Sequence, residues 1–113
     1  MDLLNQLEIK TRELETSIKS VRNTGTNYAS AERDYKILLR QEVLKLQEQG
    51  MKVTLIPLVI YGVPSVASAR YKRDVAESVY KANLEAIASI KLQMRIISSQ
   101  IDREYGISGK GDI

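Results

Sequence analysis

Ile87, Ile90, Met94, Ile97 and Ile101 follow each other at steps of three, four, three and four residues. That spacing keeps the apolar side chains on one side of an α-helix and predicts a seam packed along a second helix. The helix opens at Pro64 and Ser65 and runs to about Tyr105, before Gly106. Its span is about 40 residues, or about 60 Å at the usual rise per residue. A second apolar row, Leu84, Ala88, Leu92 and Ile96, lies on another face of the same helix. A helix that is apolar on two faces calls for two neighbours. Self-association through these four residues is therefore expected, most simply as a homodimer with a four-helix arrangement.

The first half of the chain supplies the partner for that seam. From Asp2 to Arg22, Leu4, Leu7, Leu14, Ile18 and Val21 form a stripe, with Thr11 at the missing step. Glu8–Arg12 and Glu15–Lys19 are acid-before-base pairs on the outer face, at a spacing worth about 0.2–0.5 kcal/mol each. Asn23-Thr-Gly-Thr-Asn27 interrupts the pattern, and Gly25 costs about 1 kcal/mol relative to Ala inside a helix. The stripe nevertheless resumes nearly in phase at Tyr28, Ala31, Tyr35, Leu38, Leu39 and Leu46. A continuous or kinked helix is expected across this point, ending at Gly50 as its C-cap.

Between the long helices lies MKVTLIPLVIYGVP. Thr54 is placed to cap a short helix, Pro57 fits its first turn, and Gly62 closes it. The expected fold class is all-α: a long antiparallel helical hairpin, coiled-coil-like, with a short helix at the tip. The leucine stripe faces the Ile87–Ile101 seam, and Tyr28–Leu39 faces Arg73–Asn83. One domain over residues 1–105 is expected, followed by a disordered Gly-rich tail over 106–113.

Composition agrees with this picture and narrows the chemistry. The chain has 113 residues, 27 % charged and 43 % hydrophobic, with six Tyr and no Trp, Phe, Cys or His. Without His or Cys there is no ordinary zinc site, thiol nucleophile or Ser–His relay. No catalytic, cofactor-binding or metal-ligating residues are expected, and no cofactor. Glu32 and Asp34 are close in sequence but point to different helix faces, so they are not a carboxylate pair for acid–base work. The start MDLLNQLEIK does not resemble a signal peptide. The apolar run Val53–Ala69 carries Pro57, Gly62 and Pro64, which makes a poor membrane span. A cytoplasmic protein that does not engage membranes is expected.

The formal charge of +3 comes from the second half, since residues 1–50 hold eight bases and eight acids. Lys52, Arg70, Lys72 and Arg73 are the candidate nucleic-acid contacts, with Tyr71 available to stack. Local pairing of Arg70 with Asp74 and of Arg73 with Glu77 competes with that reading. Leu55–Tyr61 is the most apolar stretch and either plugs the end of the hairpin or docks on a partner. Leu58, Val59, Ile60, Tyr61, Arg70 and Lys72 are the candidate partner-binding residues. Thr54–Tyr71 imitates a helix-turn-helix only poorly, because Pro57 and Leu58 do not suit its first helix. Gly106-Ile-Ser-Gly-Lys-Gly111 lacks the spacing and the hydroxyl of a phosphate loop.

The runs AERDYKILLRQEVLKL, VTLIPLVIYG and YKRDVAESVYKANLEAI resemble a family of small helical proteins of temperate phages of low-GC Gram-positive bacteria. The resemblance covers about residues 1–105, and its motifs are structural. It differs at the tip, where the family commonly has a lysine and this chain has Pro57-Leu58-Val59-Ile60. The resemblance implies a non-enzymatic accessory protein acting in an infected bacterial host. The leading expectation is a protein-binding accessory factor, and the resemblance permits its concrete form, an inhibitor of a host defence or nucleic-acid machine, anti-CRISPR-like. An accessory DNA-binding protein of phage recombination and a structural or scaffolding coiled coil are the alternatives.

Overall fold

The computed structural model describes residues 2–106. The fold is all-α, a coiled-coil-like helical hairpin with no strand among the described residues. Helix α1 spans Leu3–Glu48, α2 spans Ile56–Val59, and α3 spans Pro64–Ile101. A 3-10 turn over Ile60–Gly62 follows α2, and a π-type turn over Asp102–Gly106 follows α3. Of the predicted tail, residues 107–113 lie outside the described residues.

The helix ends follow from local chemistry. Asp2 caps α1, its Oδ1 accepting the Asn5 N–H at 2.8 Å. At the other end Gly50 has φ 87°, a conformation open to glycine at little cost. The Met51 N–H reaches the Leu46 carbonyl and the Gly50 N–H reaches the Gln47 carbonyl, each at 3.0 Å. This crossed pair is the Schellman stop. Val63 is extended, as a residue before proline prefers, and Pro64 begins α3 where no N–H is needed. The cap of α2 differs from expectation: Leu55 precedes the helix, and no side chain, Thr54 included, caps it. Backbone turns from Lys52 to Leu55 and from Leu55 to Leu58 hold the segment instead.

Helix α1 runs through Asn23–Asn27 without a break. Gly25 faces Tyr80, and a Cβ built there would stand 3.2 Å from the Tyr80 ring. The missing side chain is thus matched by an aromatic ring on α3.

The chain divides into two compact units, and both long helices run through each. The first joins the described residues up to Arg22 with those from Ala82 onward. Here Ile87, Ile90, Met94 and Ile101 are half-buried and Ile97 is buried, so the predicted seam is real. Its α1 side differs from the predicted stripe. Leu7, Leu14 and Val21 are half-buried, but Leu4 and Ile18 are exposed. Lys10 and Ser17 take the covered positions in their place. The Ser17 carbonyl accepts the Asn83 amide at 3.1 Å, and Lys10 pairs with Glu13 at 3.1 Å. These polar residues satisfy the steps of three and four that apolar counting alone passed over. On the outer face Glu8 and Arg12 close at 2.6 Å, as expected.

The second unit is Asn23–Lys81. Its core is Tyr35, Ile56, Ile60 and Val66, packed with Leu39, Val43, Leu46, Met51, Val63 and Ala69. Val66 is wholly enclosed. Along α3 the covered positions Val66, Ala69, Arg73, Ala76 and Tyr80 continue at steps of three and four. The same repeat therefore governs both units, with small or polar residues where the first has isoleucine.

An acid at Ile97 would place an unpaired charge in the seam. Ile97→Asp is expected to cost about 3–5 kcal/mol of stability. Ile90→Asp should also destabilise, and by less, because Ile90 is only half-buried. Exposed Lys91→Asp should stay within about 0.5 kcal/mol of the wild type. Urea unfolding followed by circular dichroism measures all three. Equal stabilities would show that the seam lies elsewhere.

Candidate docking surface at the hairpin tip

The tip sorts its apolar run into two sets. Ile56 and Ile60, one helical turn apart, are 4 % and 3 % exposed and plug the end of the second unit. Val53, Leu55, Leu58, Val59 and Tyr61 remain exposed, Leu58 most of all at 78 %. Ile60 therefore leaves the predicted partner-binding set, because its side chain is spent on the core with Tyr35 and Val66. Val53 and Leu55 join the exposed surface. Their membership was hidden because a helix of four residues is too short to reveal its faces by periodicity.

The bases separate in the same way. The Arg70 guanidinium lies 5.1 Å from the centre of the Tyr61 ring, so it belongs to the tip. It does not take Asp74, which pairs with Arg73 instead. Lys52 is exposed within the tip segment. Lys72 stands apart. It lines a groove of about 570 Å³ with Asn27, Ser30, Asp34, Ser65 and Ser68, between α1 and α3 of the second unit. Lys72 is thus removed from the tip's basic rim.

Arg73 is half-buried and held by its neighbours. Its guanidinium is 4.6 Å from the centre of the Tyr35 ring. Asp74 accepts from its Nη2 at 2.8 Å and its Nε at 3.0 Å, and Glu32 lies at 3.8 Å. The hydrogen bonds to Asp74 raise its proton affinity further, so it stays charged. A guanidinium on a seam position with an aromatic face and two carboxylates around it is committed to neighbours within the chain. It is withdrawn from the candidate nucleic-acid contacts. The expected Arg73–Glu77 pair is absent too, since Glu77 accepts the Tyr28 hydroxyl at 2.7 Å and lies 3.8 Å from Lys81.

Tyr28 and Tyr80 approach with ring centres 6.0 Å apart, beside Gly25. The hydrogen bond to Glu77 raises the Tyr28 pKa above the ordinary phenol value, with burial and the charges of Glu77 and Glu32 acting in the same direction. This cluster reads as packing between α1 and α3, where a phenol bridges to a carboxylate. Every buried side-chain nitrogen or oxygen among the described residues has a partner. Among the described residues no group of three or more acids is gathered to hold a metal ion. No described helix is long and apolar enough to cross a membrane. The helix-turn-helix imitation also fails, because α2 has four residues and runs directly into a 3-10 turn.

The predicted oligomer residues Leu84, Leu92 and Ile96 are exposed, as is Ala88 between them. They belong to the first unit, away from the tip segment in sequence. Comparison with protein-family models, curated proteins and solved structures returned no match.

The Tyr28 phenol gives a pH signature. Its folded pKa is raised, so the stability it contributes is full below the unfolded value of 10.0 and is lost as pH rises through the folded value. Stability should therefore fall more steeply above about pH 10 in the wild type than in Tyr28→Phe. Urea midpoints measured across that range, with tyrosinate absorbance recorded in parallel, check the difference. Parallel curves for the two proteins would show that the bond to Glu77 does not hold the proton.

Proposed function

We propose that this protein is a non-enzymatic docking module whose tip seats on another protein. The observation behind this reading is the division of the tip. Ile56 and Ile60 anchor it in the core, while Val53, Leu55, Leu58, Val59 and Tyr61 stay exposed. Single exposed apolar residues are ordinary on any surface. Five within nine residues of one anchored turn make a patch. Lys52 and Arg70 give it a basic edge, the arrangement common at protein-docking sites, with an apolar centre and a polar rim. The partner surface that fits is an apolar depression with acidic margins. The resemblance to small temperate-phage proteins supports a setting in which the partner is a host machine. Inhibition of a defence or nucleic-acid complex, anti-CRISPR-like, is the concrete form. Nucleic-acid binding is the weaker reading, since Arg73 is engaged by Tyr35, Glu32 and Asp74.

Parallel affinity capture from host extract tests the proposal, using wild type, Leu58→Asp and the double variant Lys52→Ala with Arg70→Ala. Leu58→Asp should abolish capture of the specific partner while helicity is unchanged. The double variant should weaken it about tenfold, mainly through slower association. A gel shift with duplex DNA runs beside it. Salt-dependent DNA retention that is lost in the double variant and kept in Leu58→Asp would replace docking with nucleic-acid binding.

A further inference from the structure

Among the described residues, seventeen large hydrophobic side chains are exposed and five hydrophobic residues are buried. Two groups of the exposed residues are ordered along α3: Tyr71, Val75 and Val79 step by four in the second unit, and a longer row lies in the first. Leu84, Ala88, Leu92 and Ile96 step by four along α3 within the first unit. Such a row is one ridge of an α-helix, and interdigitating ridges of this kind give the commonest class of helix crossing. The side of α3 that meets α1 is a different one, carrying Ile87, Ile90, Met94 and Ile97. Among the described residues nothing covers the row.

The flanking charges say what covers it. Glu85 and Arg95 are both exposed, and neither forms an ion pair with another described residue. They are placed symmetrically. The midpoint between Ala88 and Leu92 is also the midpoint between Leu84 and Ile96, and between Glu85 and Arg95. A two-fold interface requires a patch that complements itself, with small against large and acid against base across the axis. This row meets that requirement, with Ala88 set against leucine and Glu85 set against arginine. A foreign partner imposes no such balance about the row's own centre.

We infer that α3 pairs with α3 of a second copy of this chain, antiparallel, about a two-fold axis at the level of residue 90. Leu84 then meets the partner's Ile96, Ala88 receives the partner's Leu92, and Glu85 reaches the partner's Arg95. The interface residues belong to the first unit and the docking residues to the second, so each reading has its own test.

Sedimentation equilibrium on the full chain tests the inference. At micromolar concentration the wild type should have the mass of two chains. Leu92→Asp should have the mass of one, with helical circular dichroism retained. Glu85→Arg or Arg95→Glu alone should raise the dimer dissociation constant about tenfold, because each creates two like-charge contacts across the axis. The double variant Glu85→Arg with Arg95→Glu should restore it. A single-chain mass for the wild type would overturn the proposal. So would a dimer that survives Leu92→Asp, or a charge reversal that the double variant does not repair. If Leu92→Asp loses its helicity, the charge variants decide alone, since they alter only exposed residues.

Discussion

A side chain on one of two paired helices meets protein on one side and solvent on the other. That constraint governs the rest of this structure. In a larger bundle a seam residue is enclosed by several helices and must be apolar. Here most seam positions are only half-buried, including Ile87, Ile90 and Met94. Full enclosure occurs chiefly at the tip, where α2 and the 3-10 turn bring a third element over Tyr35 and Val66. The chain closes the end of its helix pair with the same segment that turns it around.

The half-open seam also explains the polar residues on it. A long amphipathic side chain can lay its stem against the neighbouring helix and keep its polar end near water or a partner. Arg73 does this over Tyr35, and Tyr28 does it with its hydroxyl on Glu77. Asn83 reaches the Ser17 carbonyl from a seam position. Polar groups at such sites specify register, because a slip by one turn would leave each without its partner. Gly25 belongs to the same logic. It costs helix propensity but leaves room for the Tyr80 ring, and helix α1 stays unbroken because the ring fills that space.

The sequence was legible where seam residues are apolar and opaque where they are not. Ile87 to Ile101 announces itself, and so does the stripe from Tyr28 to Leu46, whose named steps are tyrosine, alanine or leucine. The first turns of α1 misled, because Leu4 and Ile18 outbid Lys10 and Ser17 when hydrophobicity is the only measure. The structure prefers the unbroken steps of three and four, which put the lysine stem and the serine inward. At the tip, the run Leu55–Tyr61 was recognisable as either plug or patch. It is both, and which residue does which follows from one helical turn between Ile56 and Ile60. The ion pairs were least legible. Asp74 could serve Arg70 or Arg73, and only the position of Tyr35 and Tyr61 decides between them.

That division of the tip also bears on how binding there would work. An exposed apolar segment that is flexible must be ordered on binding, and the ordering offsets much of the gain. Here the ordering is done in advance. Ile56 and Ile60 fix α2 to the core, Gly50 and Met51 end α1 in a defined turn, and Pro64 starts α3 at once. Leu58 and Val59 are therefore presented on a backbone already held at both ends. Arg70 stacks on Tyr61 and steadies the aromatic ring at the edge of the patch. Association would then cost mainly rigid-body freedom and the desolvation of two bases. The anchoring that closes the hairpin is the same anchoring that makes its exposed face a usable surface.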